Sequence, residues 1–484
     1  MQMQSARLKW LRCPMSDNKV LQRIALSLLL SVALSGCIAS RVSVDKPELP
    51  LPDALPAQAA TTQEMPAAWW KVFGDPVLDQ LMEEALLHNA DVALAAARVL
   101  ESRAALRQAN SARSPAVGLQ GNASRQLDSE LAGQFPDAGV ARDSYSVQGV
   151  VTYELDLWGR YSRASEAARA RLLASEYDRD AVLLSMTGDV ARGYFSLMAA
   201  SEQLIGARAT LAARQESLAI ERVRFDAGES DEATFRRTEA EVAAAAIRLQ
   251  EFELELAQRE HALGVLLGRS PRDLTTATVG VGSTLPAPPV LPAGLPSELL
   301  ERRPDVRSAD AALSAAAADI GVARSALFPS ISLTGTFGSA SQELSSLFTS
   351  PAEQWSLAAG ILQPIFQAGR LRAEVDRTKA LQMQRQAEYV RTVQSAFRDV
   401  LDGLRGQELL AAISQSTSDQ ATALARATEL SELSYSAGEI SYLELLDVRR
   451  NLFQAQILLV GAKRAALTNT VDLSLALGGG VATE

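Results

Sequence analysis

Two periodicities alternate along the chain. Residues 145–155 alternate strictly, with Tyr145, Val147, Gly149, Val151, Tyr153 and Leu155 on one face and Ser146, Gln148, Val150, Thr152 and Glu154 on the other. That is the signature of a strand with one apolar face. Ile331, Leu333, Gly335 and Phe337 alternate in the same way with Ser330, Ser332, Thr334 and Thr336. Val117, Leu119, Gly121 and Ala123, then Trp355, Leu357, Ala359 and Ile361, complete a set of four segments. Elsewhere apolar residues recur at helical spacing. Leu81, Ala85, Leu86, Val92, Ala96 and Val99 predict one helix over about 79–112. Leu172, Val182, Met186, Val190, Leu197 and Leu204 predict another over about 160–225, and Val242, Leu249, Leu256, Leu263 and Leu267 a returning helix over 234–267. Sixty-odd helical residues reach roughly 100 Å at about 1.5 Å per residue, more than a globular core can use and suited to a coiled coil or a tube. The second half repeats the series, with helices at 306–327 and about 370–434, a break at Gly438, and a return to about Leu477.

The repetition is a true duplication. Asn89-Ala90-Asp91-Val92 matches Arg303-Pro304-Asp305-Val306, and Ala112-Arg113-Ser114-Pro115 matches Ala326-Leu327-Phe328-Pro329, both at an offset of 214. The offset then falls to 210 for Gly159-Arg160 against Gly369-Arg370, for Phe225-Asp226-Ala227-Gly228-Glu229 against Tyr435-Ser436-Ala437-Gly438-Glu439, and for Leu267-Gly268 against Leu477-Gly478. Landmarks in the same order over such a length indicate two copies of one unit. The change of four residues falls between Pro115 and Gly159, where a surface loop of variable length is expected. No proline lies within 77–114 or 137–270 or beyond 364, whereas seven fall in 271–304. That stretch reads as the linker between repeats.

The N-terminus is of a third kind. Lys19 and Arg23 precede an apolar run, Ile24–Leu34, that is too short to span a bilayer and ends in Leu34-Ser35-Gly36-Cys37. This is the layout of a secretory signal, and its ending resembles a bacterial lipobox, which implies cleavage before Cys37 and acylation of that residue. Met1 and Met15 are both compatible starts. Removing residues 1–36 leaves 42 basic and 56 acidic groups, a net charge of −14 against −10 for the whole chain. Such a chain has no electrostatic reason to bind nucleic acid. Two Cys and two His in 484 residues are too few for a zinc site, a disulfide framework or a His-based hydrolase. No catalytic residue, metal site or cofactor is expected beyond the covalent lipid on Cys37. His88 and His261 have no cluster of further ligands beside them in sequence, and Trp69-Trp70 read as packing anchors.

Each alternating segment is near the 9–11 residues that a tilted strand needs to cross a bilayer. Four strands of a soluble sheet would show the same alternation. Export toward an outer membrane, and the insertion of the strands as two hairpins between long helices, favour the membrane. Four strands cannot close, and an open edge in lipid leaves backbone groups unpaired, so strands must be pooled with other copies of the chain.

Jointly, Cys37, Trp69-Trp70-Lys71-Val72-Phe73-Gly74-Asp75-Pro76, Glu301-Arg302-Arg303-Pro304-Asp305-Val306, the Pro115/Pro329 and Gly159-Arg160/Gly369-Arg370 pairs and Tyr435-Ser436-Ala437-Gly438 resemble the TolC-family outer-membrane efflux proteins, specifically the lipidated outer-membrane factors of resistance-nodulation-division pumps. The resemblance implies an α+β membrane protein: a homotrimer with a twelve-strand transmembrane β-barrel, four strands per chain, continued by an α-helical coiled-coil barrel in the periplasm. It divides the chain into a signal (1–36), a lipid anchor and N-terminal equatorial segment (37–78), a first repeat (79–270), a linker (271–304), a second repeat (305–478) and a tail (479–484). Its implied partners are a periplasmic adaptor, an inner-membrane pump and outer-membrane lipid. The implied function is the exit duct of a tripartite system for small toxic molecules or drugs; type I protein secretion and a pore-free structural lipoprotein are the alternatives. The helix breaks at Gly228 and Gly438 are either plain hairpins or the tips that an adaptor engages. Glu444 and Asp447, an i, i+3 pair, are either solvated acids favourable to the helix dipole or, by the family's tip motif, two stacked carboxylate rings forming a periplasmic gate with Tyr435. The family's clasp uses an Arg two residues beyond the tip glycine, where this chain has Ile440, and its acidic partner falls at Thr234.

If Cys37 is the lipidation site, Cys37→Ser removes the acyl mass. Mass spectrometry of the purified chain checks this, and a variant that still carries lipid overturns it.

Overall fold

The computed structural model describes residues 68–129, 131, 139–276, 284–291 and 302–479. The signal, Cys37, half of the linker and the tail beyond Gly479 lie outside the described residues. After a 3-10 turn at Trp69–Phe73 come α1 (Pro76–His88), α2 (Ala90–Ser111), β1 (Ala116–Leu127), β2 (Ala141–Leu155), α3 (Arg160–Asp226) and α4 (Glu232–Leu266). A single turn, α5 (Asp273–Thr276), precedes the second series: α6 (Pro304–Ser325), β3 (Ser330–Ser341), β4 (Glu353–Leu362), α7 (Arg370–Ser436) and α8 (Tyr442–Ala476). The duplication is metrical. Both long helices have 67 residues, both returning helices 35, and α2 and α6 have 22 each.

One expectation needs correction. The first helix, predicted as continuous over about 79–112, is two helices, because Asn89 leaves the helical region at φ −65°, ψ 130°. Its Oδ1 accepts from the backbone N–H groups of Asp91 and Val92 at 2.8 and 3.2 Å, capping α2, and its Nδ2 donates to Leu266 O at 2.7 Å. A capped start satisfies donors that a continuous helix would have satisfied itself, so the break costs little.

The chain forms two compact units. The first comprises Ala105–Arg169 and Ser314–Met383 and holds the sheet, an antiparallel meander in the order β1-β2-β3-β4. The two hairpins differ in ladder length. Pairing runs from Ala116↔Thr152 to Leu127↔Ala141 in the first and from Ser330↔Leu362 to Ser339↔Glu353 in the second, twelve rungs against ten. The four surplus residues predicted to enlarge a loop therefore lie in the ladder, because the intervals 128–140 and 340–352 are equal. Where β2 runs into α3, Trp158 stacks on Phe328, centroids 4.9 Å apart, and donates from Nε1 to Pro329 O at 2.5 Å.

The second unit holds the described residues of Lys46–Ala104, Ala170–Leu313 and Gln384–Glu484. Its core gathers Trp69, Leu78, Met82, Val190, Phe195, Leu263, Leu467 and Val471. Trp69, an anchor as the sequence suggested, is 1% exposed and donates from Nε1 to Thr187 Oγ1 at 3.1 Å. Asp75 caps α1 through Oδ1 and accepts from Tyr194 OH through Oδ2 at 2.7 Å. Burial, then that carboxylate, pushes the Tyr194 phenol far up from its ordinary value.

Two glycines with similar backbones should respond differently to alanine. Gly268 has φ +71° and a Cβ there would lie 2.2 Å from His88 O, whereas Gly228 has φ +81° with no atom within 4 Å. Gly228→Ala meets only the left-handed penalty of about 1–2 kcal/mol, while Gly268→Ala must displace backbone. Thermal unfolding by circular dichroism should show a small loss for the first, and a far larger loss or no folded protein for the second.

Candidate functional site

The two helix breaks have one geometry. At the first, Gly228 N donates to Phe225 O at 2.9 Å and Glu229 N to Arg224 O at 2.8 Å. At the second, Gly438 N donates to Tyr435 O at 3.0 Å and Glu439 N to Ser434 O at 2.9 Å. This is the Schellman closure, which needs a left-handed residue at its centre and explains the glycine. Each return helix is then capped. Asp231 accepts from Thr234 N and Thr234 Oγ1, both at 2.9 Å, and these bonds hold its carboxyl below the usual range. Ser441 caps α8, and Glu444 closes a capping box by accepting from Ser441 N at 3.1 Å. An aromatic pair braces each turn: Phe225 on Phe235, 5.1 Å apart and stacked, and Tyr435 beside Tyr442 at 5.7 Å.

Glu444 and Asp447 lie exposed on the same side of α8. Asp447 Oδ2 accepts from Asn451 Nδ2 at 3.3 Å, and the capping role of Glu444 was readable as Ser441-x-x-Glu444. Tyr435 makes its bond elsewhere. Its OH accepts from Arg224 Nη1 at 2.7 Å, joining the first repeat to the second, and the same guanidinium lies 3.9 Å from Glu221. Burial raises the Tyr435 phenol despite the opposing Arg224 charge. Thr234 is engaged with Asp231, and Ile440 is half-buried.

Three ties between repeats went unpredicted. Besides Arg224–Tyr435, Arg449 reaches Glu432 at 2.8 Å and Ser217 Oγ at 3.0 Å, and Glu241 is held by both Arg214 and Arg450. The Glu241 and Arg214 side chains are 9% and 12% exposed. Their signal was available: Phe235, Thr238, Glu241 and Ala245 form one buried stripe of α4, and a carboxylate in such a stripe requires a cation.

In the sheet unit, register decides which faces exist. Opposed residues of an antiparallel pair share a face. The pairs Leu119↔Gly149, Gly149↔Phe337 and Phe337↔Trp355 therefore lie in one row, as do Val117↔Val151, Val151↔Gly335 and Gly335↔Leu357. All four apolar sets fall on one face. The other carries Gln120↔Gln148, Thr152↔Thr334 and Thr336↔Ser356. The apolar face is bare, with Leu119, Trp355 and Leu357 at 80%, 72% and 81% exposure. Every residue of β1 and β4 is exposed, and both strands present an unpaired edge.

The sequence model of the family described as outer membrane efflux protein matches residues 81–269 and 295–479. Among similar proteins, the toluene efflux pump outer membrane protein TtgC of Pseudomonas putida is 34% identical over 464 residues, covering 93% of this chain and 95% of its own. The cation efflux system protein CusC of Escherichia coli is 34% identical over 467 residues, covering 94% and 98%. The crystal structure of the CmeC outer membrane channel of Campylobacter jejuni aligns with a TM-score of 0.85 at 25% identity, covering 90% of this chain and 94% of that one.

The two carboxylates of the helical unit should differ in weight. Glu241→Ala strands the nearly buried Arg214 cation, for which about 3 kcal/mol or more is expected, whereas Glu444→Ala loses one arm of an exposed cap, about 0.5–1 kcal/mol. Denaturation midpoints of the two variants check the order, and equal shifts overturn it.

Proposed function

The chain belongs to the outer membrane efflux protein family and is the outer-membrane exit duct of an efflux system, and on that premise we propose how this sequence builds the duct. Three copies pool their strands into a twelve-strand barrel, because spanning strands must close in lipid. The helices continue the passage in the periplasm, as a barrel of channel-forming chains and not of enzymes. The observation that carries this reading is the register, which collects four apolar rows on one face of a sheet with two open edges. Lipid covers the apolar face, and the Gln, Ser and Thr rows hydrate the lumen without gripping cargo. The relatives' names span toluene and cations, in keeping with a lumen that leaves selection to the pump.

The remaining roles rest on the family resemblance together with the tip geometry. Cys37 carries the lipid anchor. The turns at Gly228 and Gly438, whose glycines have open space around them, are the docking rim for a periplasmic adaptor, which connects the duct to an inner-membrane pump of the resistance-nodulation-division class. Glu444 and Asp447 supply two rings of three carboxylates at the periplasmic gate. The capping role of Glu444 is compatible with this, since its bond to Ser441 N uses one carboxylate oxygen. Arg224 and Tyr435 stand where Ile440 and Thr234 cannot act, and tie the two repeats behind that ring. Six carboxylates about a narrow axis repel one another and attract a multivalent cation.

Single-channel conductance in a planar bilayer tests the gate. A trivalent cation on the periplasmic side should block the parent, and Glu444→Gln with Asp447→Asn should relieve the block while the assembly stays intact. If the double variant is blocked at the parent's concentration, these acids do not face the pore.

A further inference from the structure

The two free edges of the sheet are copies of two edges that are already joined. Within one chain, β2 of the first repeat pairs with β3 of the second. By the duplication, β4 is the second repeat's counterpart of β2, and β1 is the first repeat's counterpart of β3. The hairpins verify the offsets at residue level: Ala116 opposes Thr152, and their counterparts Ser330 and Leu362 oppose each other. A sheet that closes by repetition must therefore join β4 of one copy to β1 of the next as β2 joins β3. We propose that this seam has a definite register. Partners in the β2–β3 ladder have numbers that add to 486, as Tyr145↔Ser341 and Val150↔Thr336 do; shifting by offsets of +210 and −214 gives partners that add to 482. Trp355 then opposes Leu127 of the next copy, Ser356 opposes Gln126, Ala358 opposes Ser124, Ala359 opposes Ala123 and Ile361 opposes Gly121.

Three observations support this alignment. It keeps the faces: odd numbers meet odd numbers, so the apolar rows of β1 and β4 run on across the seam, whereas a slip of one residue would turn one strand's apolar row into the lumen. It also provides cover. Leu155 opposes Ile331 inside the chain, and the counterparts of that pair are Ile365 and Val117, 89% and 77% exposed. Finally, it pairs Trp355–Leu362 of β4 with Gln120–Leu127 of β1, in the two strands that are exposed throughout while β2 and β3 are largely half-buried.

The seam is not identical to its template. The positions that would repeat Trp158 and Phe328 are Ala368 and Ser114, so the aromatic stack that fastens β2 to the second repeat has no counterpart between chains. The chain–chain junction is held by the ladder and by apolar contact such as that of Trp355 with Leu127.

The inference rests on the duct reading, and the test separates the two. Opposed Cα atoms in an antiparallel pair lie about 4.5–5.5 Å apart, within disulfide reach. Full-length chains carrying Ser124→Cys with Ala358→Cys should, on oxidation in outer membranes, give a trimer band on a non-reducing denaturing gel. Gln126→Cys with Ser356→Cys should do the same, which guards against a folding defect in one pair. Gln120→Cys with Ala358→Cys, four residues out of register, should give none, nor should the parent, whose two cysteines precede residue 40. Light scattering on the unoxidised variants reports assembly independently. Trimers that cross-link only in the shifted pair, or in none, overturn the register and leave the duct standing. Monomers overturn the duct reading and the register with it.

Discussion

Two rows of unpaired backbone N–H and C=O groups, along β1 and β4, impose the condition that the rest of the molecule meets. In water such edges are tolerable; in hydrocarbon each unmet group costs several kcal/mol. A sheet with one largely apolar face cannot leave the bilayer to hydrate its edges, nor can it close on itself with four strands. Further copies of the chain are the remaining source of partners. The duplication makes that economical, because an interface which works once within a chain supplies the geometry for its repetition between chains.

The helical unit meets a different requirement, which is to hold very long helices in register without a globular centre. It does so at discrete nodes. Trp69 and Asp75, from the short segment before and at the start of α1, reach Thr187 and Tyr194 on α3. Asn89 fastens the α1–α2 junction to the end of α4. Nearer the turns, Arg224–Tyr435 and the Glu241 pair join repeats directly. The charged bonds have direction and low tolerance to sliding, which packed alanine stripes lack.

Much of this was legible in the sequence because it is periodic. Alternation fixed the strands and their faces, proline avoidance marked the long helices, and Gly228 and Gly438 stand at their ends with φ of +81° and +78°. What stayed hidden depended on partners distant in the chain. The composition around Asn89 favours helix on both sides, and only the carbonyl of Leu266 makes a break there advantageous. The four-residue offset could be placed between Pro115 and Gly159, but its assignment to a loop was wrong, since pairing, which sets the number of rungs, put it in the ladder. Ile440 and Thr234 depart from the family's clasp in the sequence, and the Arg224–Tyr435 bond required the two repeats to be seen side by side.

The unequal hairpins have a consequence for the outer end of the duct. With twelve rungs in one ladder and ten in the other, paired structure extends about 7 Å further in the first at ~3.4 Å per residue. Around a closed ring of three chains the hydrogen-bonded rim of the barrel therefore alternates between longer and shorter sectors. A sheet whose strands are otherwise close copies of one another thus acquires a threefold outline in its hydrogen-bonded rim, on which the connectors between the strands are seated at two levels.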